Sequence, residues 1–126
     1  KLQSDWMREV LVESAVARPY MDARMPQFGE HNLRDIAALF AEVDRAEYRL
    51  PEVADSPTDA KKAGFALVGK EGLTCISCHM FNRHKSLGIQ AMDLTLVHQR
   101  LRPEWFHRYM LNPAELRPGT RMPQAL

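Results

Sequence analysis

The feature that most constrains this 126-residue chain is its pair of cysteines, Cys75 and Cys78, which are followed at once by His79. Small proteins held together by disulfides use several cysteine pairs at wider spacings. A single pair three positions apart therefore excludes a disulfide framework. The spacing of two thiols and an imidazole indicates instead a site that carries chemistry.

The run Cys75-Ile76-Ser77-Cys78-His79 matches the signature of covalent c-type haem attachment. In that motif the two thiols add to the vinyl groups of the porphyrin, and the two residues between them set the span along the edge of the macrocycle. The adjacent histidine is the axial ligand of the iron. We therefore predict one haem c, held by thioether bonds to Cys75 and Cys78 and by His79 as the proximal iron ligand.

Two other chemistries also use closely spaced cysteines. A redox-active Cys-x-x-Cys pair normally begins a helix in an α/β protein, and the sequence contains no parallel-sheet pattern. A structural zinc site needs four Cys or His ligands. The remaining histidines are not arranged in pairs: His31, His84, His98 and His107. We prefer the haem interpretation and keep a zinc-binding interaction domain as an alternative.

Composition is that of an ordinary globular domain, with 45% hydrophobic and 26% charged residues. A formal net charge of +1 argues against a nucleic-acid-binding protein. The chain has no apolar run of the ~20 residues that a membrane-spanning helix needs. Residues 1–10 lack the basic start and apolar core of a signal peptide, so we expect a mature chain or a piece of a larger protein.

The spacing of apolar residues predicts an all-α fold, because only residues 94–97 resemble a strand. Capping residues and prolines set the expected helix limits. The predicted helices are one capped by Ser4 and ended by Pro19, one over 33–48 capped by Asn32 with Asp35 as its partner, one over 57–69 capped by Ser56 with Pro57 and Asp59, and one from Pro103 to Asn112-Pro113. The stretch 49–56 is expected to be a linker.

The chain also contains an internal repeat. Residues 6–19 align with residues 105–118 without a gap, and a short slip then places Arg-Met-Pro-Gln at 24–27 on the same four residues at 121–124. Each copy therefore predicts an aromatic helix, an Arg-Pro pair and a loop that presents a methionine.

With these motifs, the chain resembles a small class I cytochrome c, over most of residues 57–126 and less completely over 1–48. Its duplicated halves look like haem modules of large multidomain bacterial redox proteins. Gly64-Phe65 matches the helix before the attachment motif, and Pro118-Gly119-Thr120-Arg121-Met122-Pro123 matches the loop that supplies the sixth iron ligand. The resemblance implies Met122 as the distal ligand, with Met25 as the alternative. We favour Met122 because it follows His79 in the family's order and has the fuller loop.

The sequence departs from the family in two places. Only the helix over 33–48, after Met25, has the character of the family's closing helix, so we expect one permuted or rearranged domain over 1–126 in which this helix packs on helix 57–69. Residues 1–50 would be a partial repeat and residues 57–126 the haem-attachment segment. A domain divided in this way also allows two chains to exchange terminal helices and form a domain-swapped dimer.

The second departure concerns the axial histidine. In the family a proline carbonyl orients this histidine, and residues 88–94 contain no proline, which leaves the acceptor for the His79 ring N–H open.

The resemblance implies electron transfer by a six-coordinate His/Met haem rather than an enzyme activity, with another redox protein or a redox domain of the same polypeptide as partner. The alternative is a haem sensor or peroxidase-like domain with a displaceable sixth ligand. His84, His98 and His107 are less favoured sixth ligands. Arg83, His84 and Lys85 form a basic cluster, interpreted as a solvated loop that haem propionates or an acidic partner could use. Covalent attachment implies the bacterial periplasm or another extracytoplasmic location.

Overall fold

A computed structural model describes residues 1–16, 18, 21–45, 48–52 and 56–124. These residues form helices, turns and isolated β-bridges without a strand, which confirms the all-α class. They belong to two compact units: Lys1–Arg49 with His98–Phe106, and Leu50–Val97 with His107–Leu126. The expectation of one rearranged domain stays a prediction. Every described helix is too short or too polar to span a bilayer.

The helices of the described residues are short. In chain order they are α1 (Ser4–Leu11), α2 (Glu30–Leu33), α3 (Ile36–Val43), α4 (Pro57–Val68), α5 (Val97–Arg100), α6 (Pro103–Leu111) and α7 (Pro113–Leu116), with 3₁₀ helices at Cys75–Ser77 and Leu94–Leu96. The segment that most resembled a strand, 94–97, is therefore helical: Leu94–Leu96 form a 3₁₀ helix and Val97 begins α5.

In the first unit α1 contacts α3. Trp6 of α1 is buried, with 9% of its surface exposed. The predicted apolar face of the second helix is only partly covered, because Leu39, Phe40 and Val43 are 59%, 50% and 73% exposed. The expected packing of this helix on helix 57–69 stays a prediction.

Two helix starts expected from the sequence are wrong. Ser4 is the first residue of α1 rather than its cap, and α1 ends at Leu11; Pro19 lies outside the described residues. Asn32 lies inside α2, where its side-chain Nδ2 donates to the carbonyl of Phe28 at 2.7 Å. This local bond occupies the side chain that was expected to cap the helix.

The second of these predicted helices is also shorter than expected. Asp35, with φ −97° and ψ −10°, separates α2 from α3 and makes no capping bond with its side chain. The helix then ends at Val43 rather than continuing to Tyr48. Of the expected helix over 33–48, Leu33 is the last residue of α2 and residues 36–43 form α3.

The two copies of the repeat pair with each other in the first unit. Leu2 lies opposite Leu101 in an antiparallel bridge, and the alignment of the copies makes these two residues equivalent. Two backbone N–H groups donate across the pair, at 2.9 and 3.0 Å: Gln3 to Arg100 and Arg102 to Lys1. The alignment makes Gln3 equivalent to Arg102 and Lys1 equivalent to Arg100, so exchanging the two copies converts one bond into the other. The pairing thus has the local two-fold symmetry of a homodimer contact, but within one chain.

The aromatic contacts of the two copies follow the same symmetry. Lys1 Nζ lies 5.0 Å from the ring centroid of Trp105, and the guanidinium carbon of Arg100 lies 5.3 Å from that of Trp6. Lys1 and Arg100 are equivalent positions, as are the two tryptophans. The duplication therefore includes residues 1–5, which precede the aligned segments.

In the second unit the limits of α4 are as predicted. The Ser56 hydroxyl accepts from the backbone N–H of Asp59 at 3.2 Å, Pro57 is in the first turn, and Gly69 follows the last residue. Phe65 makes an edge contact with Phe81, with ring centroids 5.3 Å apart. This contact connects α4 to the segment that follows the cysteine motif.

The last predicted helix is also confirmed. Pro103 begins α6, which ends at Leu111, and Asn112 then caps a further helix, α7, by accepting from the N–H of Glu115 at 3.3 Å. Pro113 is fully buried. In the second unit these residues lead into the loop that carries Met122.

Candidate functional site

The cysteine motif is held against the end of α4 by backbone hydrogen bonds. The N–H of Leu73 donates to the carbonyl of Leu67 at 2.6 Å, and that of Thr74 donates to Gly69 at 3.1 Å. Thr74 has a left-handed conformation, with φ 56°, and turns the chain into the 3₁₀ helix that begins at Cys75. We call residues 75–79 the attachment segment.

Both thiols of the attachment segment are free. The N–H groups of Cys78 and His79 donate to the carbonyl of Cys75 at 3.2 and 2.9 Å, so one tight turn holds all three residues. Cys78 is exposed and Cys75 is half-buried, and burial raises the pKa of the Cys75 thiol. The two sulfurs are therefore available for bond formation, with Cys75 favouring its protonated form.

The imidazole of His79 is oriented by a backbone carbonyl. Its Nδ1 lies 2.9 Å from the oxygen of Met92, which can only accept a hydrogen bond, so Nδ1 carries the proton. In the tautomer with the proton on Nδ1, Nε2 has the lone pair that a metal ion binds, as in ligating histidines whose other nitrogen is held by an acceptor. The acceptor that the sequence left open is thus the carbonyl of Met92.

Backbone bonds on both sides fix this carbonyl. The N–H of Ala91 donates to Cys78 at 2.8 Å, and the N–H of Leu94 donates to Met80 at 2.9 Å. The segment 91–94 therefore runs along the residues that flank His79 and holds the acceptor in register with the ring.

Asp93 joins the two sides of this arrangement. Its Oδ1 accepts from the backbone N–H and the hydroxyl of Thr95, at 2.9 and 2.7 Å, and from the N–H of Asn82 at 3.3 Å. Burial acts to raise the pKa of the Asp93 carboxyl, but these hydrogen bonds outweigh it and lower the pKa. The ionised carboxylate is thus the form that connects Asn82 to Thr95.

Asp93→Asn keeps an accepting oxygen but removes the charge, and it is expected to destabilise the chain by about 1 kcal/mol at neutral pH, because hydrogen bonds to a charged acceptor are stronger by about that amount than bonds to a neutral one. Because the folded pKa lies below the unfolded value of about 3.9, the stabilisation is present above pH ~4 and is lost as the pH falls through the folded pKa. Urea unfolding at pH 7 and pH 3 should show a difference between wild type and variant that shrinks in acid. Asp22→Asn, at an exposed loop position, is the control. An Asp93→Asn effect of equal size at both pH values would contradict this account.

The loop of Met122 is held by two hydroxyl groups. The N–H of Met122 donates to the Thr120 hydroxyl oxygen at 3.2 Å, and that oxygen lies 3.0 Å from the hydroxyl of Tyr109 on α6. Gly119 supplies the positive φ of 78° that the turn needs. Met122 is half-buried and belongs to the same compact unit as His79.

The loop of Met25 lacks this support. The residues aligned with Tyr109 and Thr120 are Val10 and Ala23, which have no hydroxyl group. Met25 is 51% exposed and belongs to the other compact unit. The local structure therefore favours Met122 as the more firmly positioned of the two predicted distal ligands.

The remaining histidines do not join the attachment segment in a metal cluster. In the part of the chain that the structure describes, no group of three or more His, Cys, Asp or Glu side chains is placed to hold a metal ion. His31, His84 and His98 are exposed, and His107 is half-buried on α6. The four-ligand set of a structural zinc site is thus not assembled within the described residues.

Sequence reasoning missed the Met92 carbonyl and the role of Asp93. The pattern Asp93-Leu94-Thr95 is typical of an N-cap and could have indicated the role of Asp93. No sequence signal could have indicated the Met92 carbonyl, because every residue has a backbone carbonyl.

No protein family, curated protein or solved structure matches this chain.

Proposed function

We propose that this chain is an electron-transfer protein that carries one covalent haem c on Cys75 and Cys78. The observation that carries the proposal is the hydrogen bond of 2.9 Å from His79 Nδ1 to the carbonyl of Met92. It selects the tautomer with the proton on Nδ1 and orients the imidazole directly after two free thiols, and in that tautomer Nε2 is left for the iron.

Exposed apolar side chains of the second unit support the proposal that a large apolar group binds there. Four apolar side chains of the second unit have half or more of their surface exposed: Phe65 at 52%, Leu67 at 50%, Leu87 at 65% and Ile89 at 58%. Covering such side chains is favourable by about 25 cal/mol for each Å² removed from water. The hydroxyl of Ser86 is buried without a hydrogen-bond partner, and a polar edge of a bound group would satisfy it.

The protein residues determine how the bound group behaves. A haem supplies one-electron exchange at its iron. His79 and Met122 would hold the iron, and the chemistry it would supply with two protein ligands is electron exchange rather than substrate binding. A thioether ligand and an apolar surrounding favour the reduced form and raise the reduction potential. Attachment outside the cytoplasm leads us to propose a bacterial extracytoplasmic location and a redox protein or redox domain as partner.

The test is production of the chain in bacteria that carry a c-type haem maturation system. We expect one haem per chain that survives acid-acetone extraction and denaturing electrophoresis. Cys75→Ser with Cys78→Ser should remove all covalent haem, and His79→Ala should abolish the low-spin spectrum. His84→Ala, in the exposed turn nearby, is the matched control and should retain both properties. A wild-type chain without covalent haem would refute the proposal, and rapid binding of carbon monoxide by the reduced protein would favour a sensor or peroxidase-like role.

A further inference from the structure

A cleft of about 290 Å³ lies between α1 and the helices α2 and α3 of the first unit, and we call it the α1–α2 cleft. Its apolar lining is half-buried and comes from all three helices: Leu11, Leu33 and Ala37. Its charged lining is exposed: Asp5, Arg8, Glu30 and Arg34. An apolar surface with a few polar groups around it is typical of small-molecule sites, and this volume lies at the lower end of their range.

Two of the charged side chains, Arg8 and Glu30, satisfy each other. The guanidinium of Arg8 donates from Nη2 to Glu30 at 3.0 Å, and its Nη1 donates to Glu13. Both terminal nitrogens of the guanidinium therefore already have a carboxylate. Arg8 and Glu30 thus connect α1 to α2 and do not need a ligand to balance their charges.

The other two charged side chains, Asp5 and Arg34, lack such a partner. Within the described residues no ion pair uses Asp5, and the one that uses Arg34 joins it to the neighbouring Asp35 at 3.5 Å. Because the side chains of Arg34 and Asp35 are 73% and 86% exposed, this pair contributes little. The α1–α2 cleft therefore presents one carboxylate and one guanidinium that a ligand can bind.

These two opposite charges restrict the chemistry of the ligand. An anion would bind Arg34 but meet the like charge of Asp5, and a cation would bind Asp5 but meet the like charge of Arg34. A molecule with one ammonium group and one carboxylate group satisfies both. The apolar lining favours a short aliphatic group on the same molecule, because covering this lining removes apolar surface from water.

The second copy of the repeat carries different side chains at the positions of the Arg8–Glu13 pair. Arg8 aligns with His107, and Glu13 aligns with Asn112, which has no charge. The α1–α2 cleft also belongs to a different compact unit from His79. Its charges are therefore a property of the first copy and have no part in the proposed haem site.

We propose that the α1–α2 cleft binds a free α-amino acid with an aliphatic side chain. Asp5 accepts from its ammonium group, Arg34 donates to its carboxylate, and its side chain covers the apolar lining. A bound amino acid connects α1 to Arg34, the residue that ends α2, and so stabilises the first unit. Binding needs no haem, so this inference is independent of the proposed function.

The first experiment is isothermal titration calorimetry of the full chain with leucine and with three analogues that each lack one group. Isocaproate lacks the ammonium group, isoamylamine lacks the carboxylate, and glycine lacks the side chain. We expect leucine to bind at millimolar concentrations or below and each analogue to bind at least about tenfold more weakly, because each loses a charged hydrogen-bond partner or the apolar contact. An absence of leucine binding, or an analogue that binds as tightly as leucine, would overturn the proposal.

The second experiment assigns the two charges with substitutions. Asp5→Asn should weaken leucine binding about tenfold but leave isocaproate binding equal or tighter, because the like charge that this carboxylate meets is removed. Arg34→Gln should weaken leucine binding to a similar extent but leave isoamylamine binding equal or tighter.

The matched controls are Asp22→Asn and Arg45→Gln, at exposed positions outside the lining of the cleft, and both should bind leucine as the wild type does. Equal losses in the test and control variants would show a response to net charge alone and overturn the proposal. Wild-type leucine binding by both Asp5→Asn and Arg34→Gln would place the amino acid elsewhere and overturn it as well.

Discussion

Gly72→Ala is expected to destabilise the second unit by about 3 kcal/mol and to reduce haem attachment. A Cβ atom at this position would lie 2.4 Å from the carbonyl oxygen of Ala66, 2.5 Å from that of Leu67 and 2.7 Å from the Leu67 Cα. These are backbone atoms of α4, which cannot rotate away as a flexible side chain would. The chain would have to move off the end of α4, and the 2.6 Å bond from Leu73 to Leu67 that leads to Cys75 would be lost.

Gly64→Ala on α4 is the matched control, because a Cβ there meets nothing within 4 Å. In a helix interior this change is expected to stabilise the chain by up to about 1 kcal/mol, so the two glycine substitutions should have opposite signs. Urea unfolding of the full chain and the fraction of chains with covalent haem measure both effects. A Gly72→Ala variant that unfolds at the wild-type urea concentration would contradict the predicted close approach.

The helix limits that could be predicted are those for which one local arrangement dominates. Ser56, Pro57 and Asp59 act together at the start of α4, and Pro103 begins α6, because proline and an N-cap side chain restrict the backbone locally. Asn32 failed as a guide because its amide also reaches the carbonyl of Phe28, a competing bond that the spacing does not exclude.

The candidate site divides in the same way. Cys75, Cys78 and His79 are close together in the chain, so their spacing alone predicts a joint role, which stays a prediction. The acceptor for His79 is a main-chain oxygen 13 positions away, and its use depends on how the chain returns past the attachment segment.

The pairing of residues 1–3 with residues 100–102 could not be predicted from the sequence either. Lys replaces Arg and Asp replaces Glu between the copies, so few identities remain there.

Met122→Ala is expected to remove the weak near-infrared sulfur–iron band of the oxidised haem protein and to open the sixth position to carbon monoxide. The reduction potential should fall by about a few tenths of a volt, within the range of roughly 0.8 V that axial ligands span. Met25→Ala is the natural control, because the repeat gives both methionines the same four-residue context. It should leave the band, the potential and carbon monoxide binding unchanged.

The hydroxyl pair behind Met122 allows a graded form of the same test. Tyr109→Phe and Thr120→Val retain the sulfur but remove the 3.0 Å contact and the bond to the Met122 N–H. We therefore expect the band to persist while carbon monoxide displaces the methionine faster than in the wild type. The equivalent positions of the first copy, Val10 and Ala23, already lack these hydroxyls. If Met25→Ala removed the band and Met122→Ala did not, Met25 would be the distal ligand. The hydroxyl groups that hold the Met122 loop would then not determine which methionine binds the iron.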